Sequence, residues 1–124
     1  MGWLAIKRAY APPEASDGKR ILVDRLWPRG LRRTDAGLDD WMKDVAPSPA
    51  LRKWFGHQPA RFAAFGERYR AELDGNPEPV ERLCTMVRTH DVTLIYAARD
   101  ARINHARVLA DYLGGRGSRL KEAE

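Results

Sequence analysis

Short apolar runs open this chain, and apolar stripes at helical spacing fill its second half. Trp3-Leu4-Ala5-Ile6, closed by Lys7-Arg8, predicts a first strand, and Ala11 to Gly18 reads as the loop behind it. Ile21-Leu22-Val23 is apolar and rich in β-branched residues, which predicts a second strand ending at Asp24-Arg25. Trp41 to Ala46 fits either helix or strand, and Pro47-Ser48-Pro49 stops both. Leu51, Trp54 and Phe55 then share one face of a short helix broken at Gly56. Pro59 opens a longer helix carrying Phe62, Phe65 and Tyr69, with Gly75-Asn76-Pro77 as its end signal. Val80, Leu83, Cys84 and Val87 fall at i, i+3, i+4 and i+7, the plainest amphipathic helix in the chain. Val92 to Ala98 is a near-continuous apolar run of strand length, as expected of a central strand buried on both faces of a parallel sheet. Ala106, Leu109 and Leu113 mark one face of a last helix that ends at Gly114-Gly115.

The order strand, strand, helices, strand, helix predicts an α/β fold: one compact domain over residues 1–115, its sheet mostly parallel with helices packed on its faces. Residues 116–124 read as a polar, frayed tail. In open α/β sheets ligands bind at the carboxyl ends of strands, which here are Asp24-Arg25 and Ala98-Arg99-Asp100.

Composition narrows the class of protein. With 44% hydrophobic and 31% charged residues in 124, the chain has the make-up of one globular domain and lacks that of a disordered or fibrous protein. A net charge of +5 favours anionic partners, so a small anionic molecule is the expected ligand and nucleic acid the alternative. Cys84 is the single cysteine, which excludes an internal disulfide and points to the reducing cytoplasm. Met1 to Tyr10 shows no secretory pattern, and no apolar run approaches the roughly 20 residues of a membrane span, so no membrane role is expected. Neither oligomeric state nor a cofactor can be read from the chain.

Three constellations could carry chemistry. The first is Arg25-Leu26-Trp27-Pro28-Arg29-Gly30, where Pro28 fixes φ, Gly30 permits a positive φ, and Arg25 and Arg29 offer forked donors to phosphate or carboxylate. Lys43 and Arg52 are candidates to reach it, whereas Arg32 and Arg33 read as surface. The second is Tyr96-Ala97-Ala98-Arg99-Asp100 with Asn104-His105, where a helix N-terminus adjoins Arg99 and His105. Asp100 reads first as a helix cap, and His105 is divided between handling protons and satisfying the backbone. The third is Trp54-Phe55-Gly56-His57, aromatic surface beside an imidazole, which could flank an organic ring or simply pack. Cys84, on an apolar face, reads as a buried structural thiol, and His90 as a group favoured by a helix dipole. The sequence has no dinucleotide fingerprint, P-loop, zinc-protease helix or paired cysteines, and no metal site is expected. Asp24 and Asp100, at two strand ends, would form a carboxylate pair if the strands were neighbours.

Long segments of the chain resemble one family. Val23-Asp24-Arg25-Leu26-Trp27-Pro28-Arg29-Gly30, Leu38-Asp39-Asp40-Trp41, Ala46-Pro47-Ser48, Leu51-Arg52-Lys53-Trp54-Phe55-Gly56-His57 and Val92 to Ala98 together resemble the YeaO-like bacterial domains of unknown function, DUF488. The likeness continues through Asp100, Asn104-His105-Ala106 and Leu109. It departs at the Ala101-Arg102-Ile103 spacer and after Leu113, and Arg99 stands where lysine is also familiar. The resemblance implies a small cytoplasmic α/β domain with a shared polar site and no established reaction. The motifs carry Arg25, Trp27, Arg29, Ser48, Trp54, His57, Tyr96, Asp100 and His105 into that site.

The expectation is therefore a domain that binds a nucleotide or sugar phosphate at the carboxyl edge of its sheet. Arg25, Arg29 and Arg99 would hold the anion, Ser48 and Tyr96 would line the site, Trp27 or Trp54 would flank a ring, and His57, Asp100 or His105 would move protons. Hydrolysis or group transfer is the chemistry such residues would serve. A non-enzymatic module for nucleic acid or acidic protein is the competing class. A third reading makes the arginine turn a brace that closes the fold.

Overall fold

The computed structural model describes residues 3–114 together with the backbone of residues 119–120. Its strands are β1 (Trp3–Arg8), β2 (Lys19–Leu22), β3 (Asp40–Trp41), β4 (Val92–Tyr96) and β5 (Arg119–Leu120). Its helices are α1 (Arg33–Ala36), α2 (Pro49–Phe55), α3 (Phe62–Asp74), α4 (Pro77–Thr89) and α5 (His105–Gly114). The strands form one sheet in the order β3-β2-β4-β1-β5, and every pairing is parallel. This is an α/β domain. Of the expected tail, Arg119–Leu120 adds an edge strand beside β1, and the rest lies outside the described residues.

Register divides the sheet into two unlike faces. Leu4, Val92 and Lys19 stand in one row and Ile6, Leu94 and Ile21 in the next, so period-2 alternation puts all of them, with Tyr96, on one side. That side meets the stripes read from the sequence: Phe65 and Tyr69 of α3, Val80, Leu83, Cys84 and Val87 of α4, and Ala106, Leu109 and Leu113 of α5 are all buried in one core. The other side carries a second small core in which Ala9, Leu22 and Ile95 pack with Trp27, Leu31, Leu38 and Trp41. It is covered by the long connections between β1, β2 and β3 rather than by long helices. All five residues of β4 are buried, as expected of its uninterrupted apolar run.

The same second face holds a buried polar cluster. The Asp17 carboxylate accepts from Arg20 Nη1 at 2.6 Å, from Lys7 Nζ at 3.1 Å and from the Glu14 N–H at 3.0 Å. Arg20 also donates to the carbonyls of Ala36 and Gly37, at 2.9 and 3.0 Å. It thereby ties β2 to the segment leading into β3. Nearby, Gly18 has φ 65°, and a Cβ there would collide with the Asp91 carbonyl. The arginine that braces this fold is thus Arg20, outside the arginine turn.

The segment around Trp41 resolves into both of its readings. Asp40–Trp41 is a strand and Lys43–Val45 a 3-10 turn. Pro49 lies in the first turn of α2, where its missing N–H has no cost, and Ser48 Oγ caps the helix by accepting from the Leu51 N–H at 3.2 Å.

Candidate functional site

Parallel strands point all their carboxyl ends one way, and a cavity of about 560 Å³ lies at that edge. The β2 exit lines one side with Asp24 to Arg29, and the β4 exit lines another with Ala97 to Asp100. Ile103, Asn104 and His105 bring in the start of α5, Tyr10 follows β1, and Ala46, Pro47, Arg52, Phe55 and His57 come from the approach to α2 and its end. The arginine turn and the Asp100–His105 segment therefore share one site.

The turn is built as its residues require. The Leu31 N–H donates to the Pro28 carbonyl at 3.2 Å, and Gly30 between them has φ 79°. Trp27 Nε1 donates to the Leu31 carbonyl at 2.7 Å, and its ring meets Trp41 edge-on at 5.4 Å. Arg33 lies over the Trp27 ring at 4.5 Å. The Tyr10 hydroxyl donates to the Arg29 carbonyl at 2.8 Å, which pins the turn to the end of β1.

Four arginines line the cavity. Arg25 donates to the carbonyls of Ala46 and Pro47, at 3.3 and 3.4 Å, while its Nε is buried without a partner. Arg29, Arg52 and Arg99 are exposed and have no side-chain hydrogen bond or ion pair among the described residues. Asp24 and Asp100 are the two carboxylates in the lining. Asp24 Oδ2 accepts from the Ala97 N–H at 3.1 Å, so it joins the ends of β2 and β4.

His105 opens α5 beside Asp24. Its Nε2 lies 3.1 Å from the Val23 carbonyl and 3.0 Å from Asp24 Oδ1. A carbonyl only accepts, so the ring donates from Nε2, which leaves Nδ1 carrying the lone pair in the neutral form. Asp24 Oδ1 makes no hydrogen bond of its own, and its contact with the ring becomes an ion pair when the imidazole is protonated. Asp100 has a different task. Its Oδ1 accepts from the N–H groups of Ile103 and Arg102, at 3.0 and 2.8 Å. Those bonds, first to Ile103 and then to Arg102, lower its pKa below the ordinary carboxylate value and suit it to holding the turn before α5 rather than to donating a proton. The cap of α5 expected of Asp100 is supplied instead by Asn104, whose Oδ1 accepts from the Arg107 N–H at 2.9 Å. His57 is held at φ 57°, the single described residue other than glycine with a positive φ.

The chain's relatives complete the picture. A family model described as the inactive DUF488-N3 subclade matches residues 3–124. The chain belongs to the YeaO-like DUF488 family. Uncharacterized protein YeaO of Escherichia coli (strain K12) is 49% identical over 107 residues, covering 86% of this chain and 93% of that protein. Uncharacterized protein Rv3073c of Mycobacterium tuberculosis (strain ATCC 25618 / H37Rv) is 43% identical over 111 residues, covering 90% and 93%. No solved structure matches at a significant level.

Among the site residues singled out from the sequence, Arg25, Trp27, Arg29, His57, Arg99, Asp100 and His105 line the cavity, whereas Ser48, Trp54 and Tyr96 do not. Ser48 caps α2 and donates from Oγ to Glu72 at 2.6 Å, so its hydroxyl is fully engaged. Trp54 is taken up by two cations, with Arg68 at 4.0 Å and Arg61 at 5.2 Å from its ring centre. Tyr96 lies on the helix-covered face of β4, and burial raises its pKa. Leu26 and Phe55, from the first and third constellations, also line the cavity, as do Tyr10 and Phe65, which nothing in their sequence context marks as site residues. Asp24 was visible as a charged strand end, but its partner is His105 rather than Asp100. The described residues contain no cluster of three or more His, Cys, Asp or Glu placed to hold a metal.

Proposed function

We propose that this domain binds a small anionic organic molecule, of nucleotide or sugar-phosphate type, at the carboxyl edge of its sheet. The observation that carries this reading is the presence of four arginines around one cavity, three of them with neither a side-chain hydrogen bond nor an ion pair among the described residues. Guanidinium groups left unpaired beside an apolar wall of Phe55, Phe65 and Ile103 favour a ligand with a charged head and a carbon body. A concave site suits a small molecule better than a nucleic-acid strand, which calls for an extended basic track. The description of the matched subclade as inactive supports binding without turnover. The Asp24–His105 pair supports a second reading, hydrolysis or group transfer with the imidazole handling the proton. The buried, unpaired thiol of Cys84 favours a reducing cytoplasm as the working compartment, and no helix among the described residues is long and apolar enough to cross a membrane.

Thermal unfolding with a panel of nucleotides and phosphorylated sugars tests the reading. A ligand at a hundredfold its Kd stabilises by about 2.7 kcal/mol, which for a chain of this size raises Tm by about 10 °C. The double variant Arg29→Ala/Arg52→Ala removes exposed, unpaired side chains and is expected to fold normally while losing most of the shift. Absence of any shift across the panel in the wild type rejects the reading.

A further inference from the structure

Deepening the reading just given, and resting on it, we propose that the ligand is a nucleoside monophosphate: a phosphate monoester joined through a sugar to a planar base. Charge count comes first. Four arginines and two aspartates line the cavity, leaving a net charge of +2. A phosphate monoester dianion balances that charge, whereas a carboxylate leaves positive charge over and a diphosphate brings an excess of negative charge.

The mouth supplies the second argument. Tyr10 and Leu26, 43% and 62% exposed, are the exposed large hydrophobic residues of the described chain, and both line this cavity. Apolar side chains left in water at the rim of an otherwise charged site call for a ligand that covers them. Tyr10 is also held rigidly. Its hydroxyl donates to the Arg29 carbonyl at 2.8 Å, and the Arg8 guanidinium lies 4.9 Å from its ring centre. Arg8 is itself fixed by its bond from Nε to the Ala98 carbonyl, at 3.0 Å. A ring fixed at its hydroxyl and stacked on one face by a cation is a prepared platform for a base on the other. A bare sugar phosphate has no planar group to use it. The volume, about 560 Å³, falls within the range of pockets that enclose ligands of this size.

Isothermal titration of the full chain with adenosine and uridine 5′-monophosphates, ribose 5-phosphate, adenosine and adenosine diphosphate tests the proposal. The monophosphates are expected to bind at least about tenfold more tightly than ribose 5-phosphate, the value of one base–aromatic stack. They are also expected to exceed adenosine by at least about tenfold, the value of a charge-assisted hydrogen bond. The diphosphate is expected to bind no more tightly than the monophosphate. Tyr10→Ala should erase the advantage over ribose 5-phosphate, and Leu26→Ser, at an exposed site, should weaken the monophosphates alone. Equal affinity for monophosphate and ribose 5-phosphate, or tighter diphosphate binding, overturns the proposal and leaves anion binding standing, whereas equal affinity for monophosphate and adenosine overturns anion binding as well. Failure of every phosphate to bind overturns both.

Discussion

Asp17→Asn puts the buried brace of this fold to a quantitative test. The wild-type carboxylate, with 9% of its side chain exposed, receives Arg20 Nη1 at 2.6 Å and Lys7 Nζ at 3.1 Å. Asparagine keeps the volume and removes the charge. Arg20, whose side chain is 4% exposed, retains the carbonyls of Ala36 and Gly37 but loses its counterion, while Lys7 retains Glu14 at 2.7 Å. Breaking a buried pair by removing one partner costs about 3–5 kcal/mol, against a total of about 5–15 kcal/mol for a typical domain. With a urea slope of about 1.5 kcal/mol/M, the unfolding midpoint should fall by about 2–3 M. The effect carries a pH signature. Burial alone would raise the Asp17 pKa, but the bonds from Glu14 N–H, Lys7 and Arg20 outweigh it and hold the pKa below the ordinary value of 3.8. A depressed folded pKa contributes stability that is fully present above the unfolded value and is lost as pH falls through the folded one. The gap between wild type and Asp17→Asn should therefore be constant from neutrality down to about pH 4 and close below it. Urea titrations monitored by tryptophan fluorescence at pH 7, 5, 4 and 3 measure this. A loss below about 0.5 kcal/mol at pH 7, within the range of ordinary surface substitutions, or a gap that persists undiminished at the lowest pH, refutes the reasoning.

Three further substitutions separate structural roles from site roles. Ser48→Ala removes the cap on α2 and one bond to Glu72, costing about 1–2 kcal/mol, while the ligand-induced Tm shift should match that of wild type; a reduced shift would return Ser48 to the site. His57→Gly relieves the left-handed φ of 57° and should stabilise by up to about 1 kcal/mol, as read from the urea midpoint; a loss of stability would show that the ring contact with Phe55, 6.0 Å between centres, outweighs the backbone cost. Gly18→Ala drives a Cβ into the Asp91 carbonyl at a positive φ and should cost more than about 3 kcal/mol, or abolish folding; a near-neutral result in denaturant titration would show that the turn relaxes freely.

Legibility in the sequence followed burial. The stripes at Val80, Leu83, Cys84 and Val87 and at Ala106, Leu109 and Leu113 predicted α4 and α5 because each helix has one wet side that gives the pattern contrast. The same contrast is missing from β4, buried along its whole length, so nothing in its alternation showed that Tyr96 points under the helices rather than into the site. Ser48 and Trp54 lie in the same family motifs as cavity residues, yet one hydroxyl is consumed by a cap and one ring by Arg61 and Arg68. The Glu72 that accepts from the Ser48 hydroxyl and the Arg68 over the Trp54 ring come from α3, which sequence spacing cannot place.

The sequence by itself determined the class of fold, the strand ends, and the turn in which Pro28 and Gly30 shape the backbone, because these depend on local periodicity and on the φ preferences of single residues. Only the tertiary structure decided which charged groups meet. Parallel pairing of β2 with β4 sets Asp24 beside His105 and brings Arg25 and Arg29 to the same cavity as Arg99, α2 adds Arg52, and Arg20 rather than a turn arginine pairs with a buried carboxylate. Arginines look alike in a sequence. Their roles diverge once the chain fixes which of them lose water and gain a carboxylate, and which are left facing an open cavity.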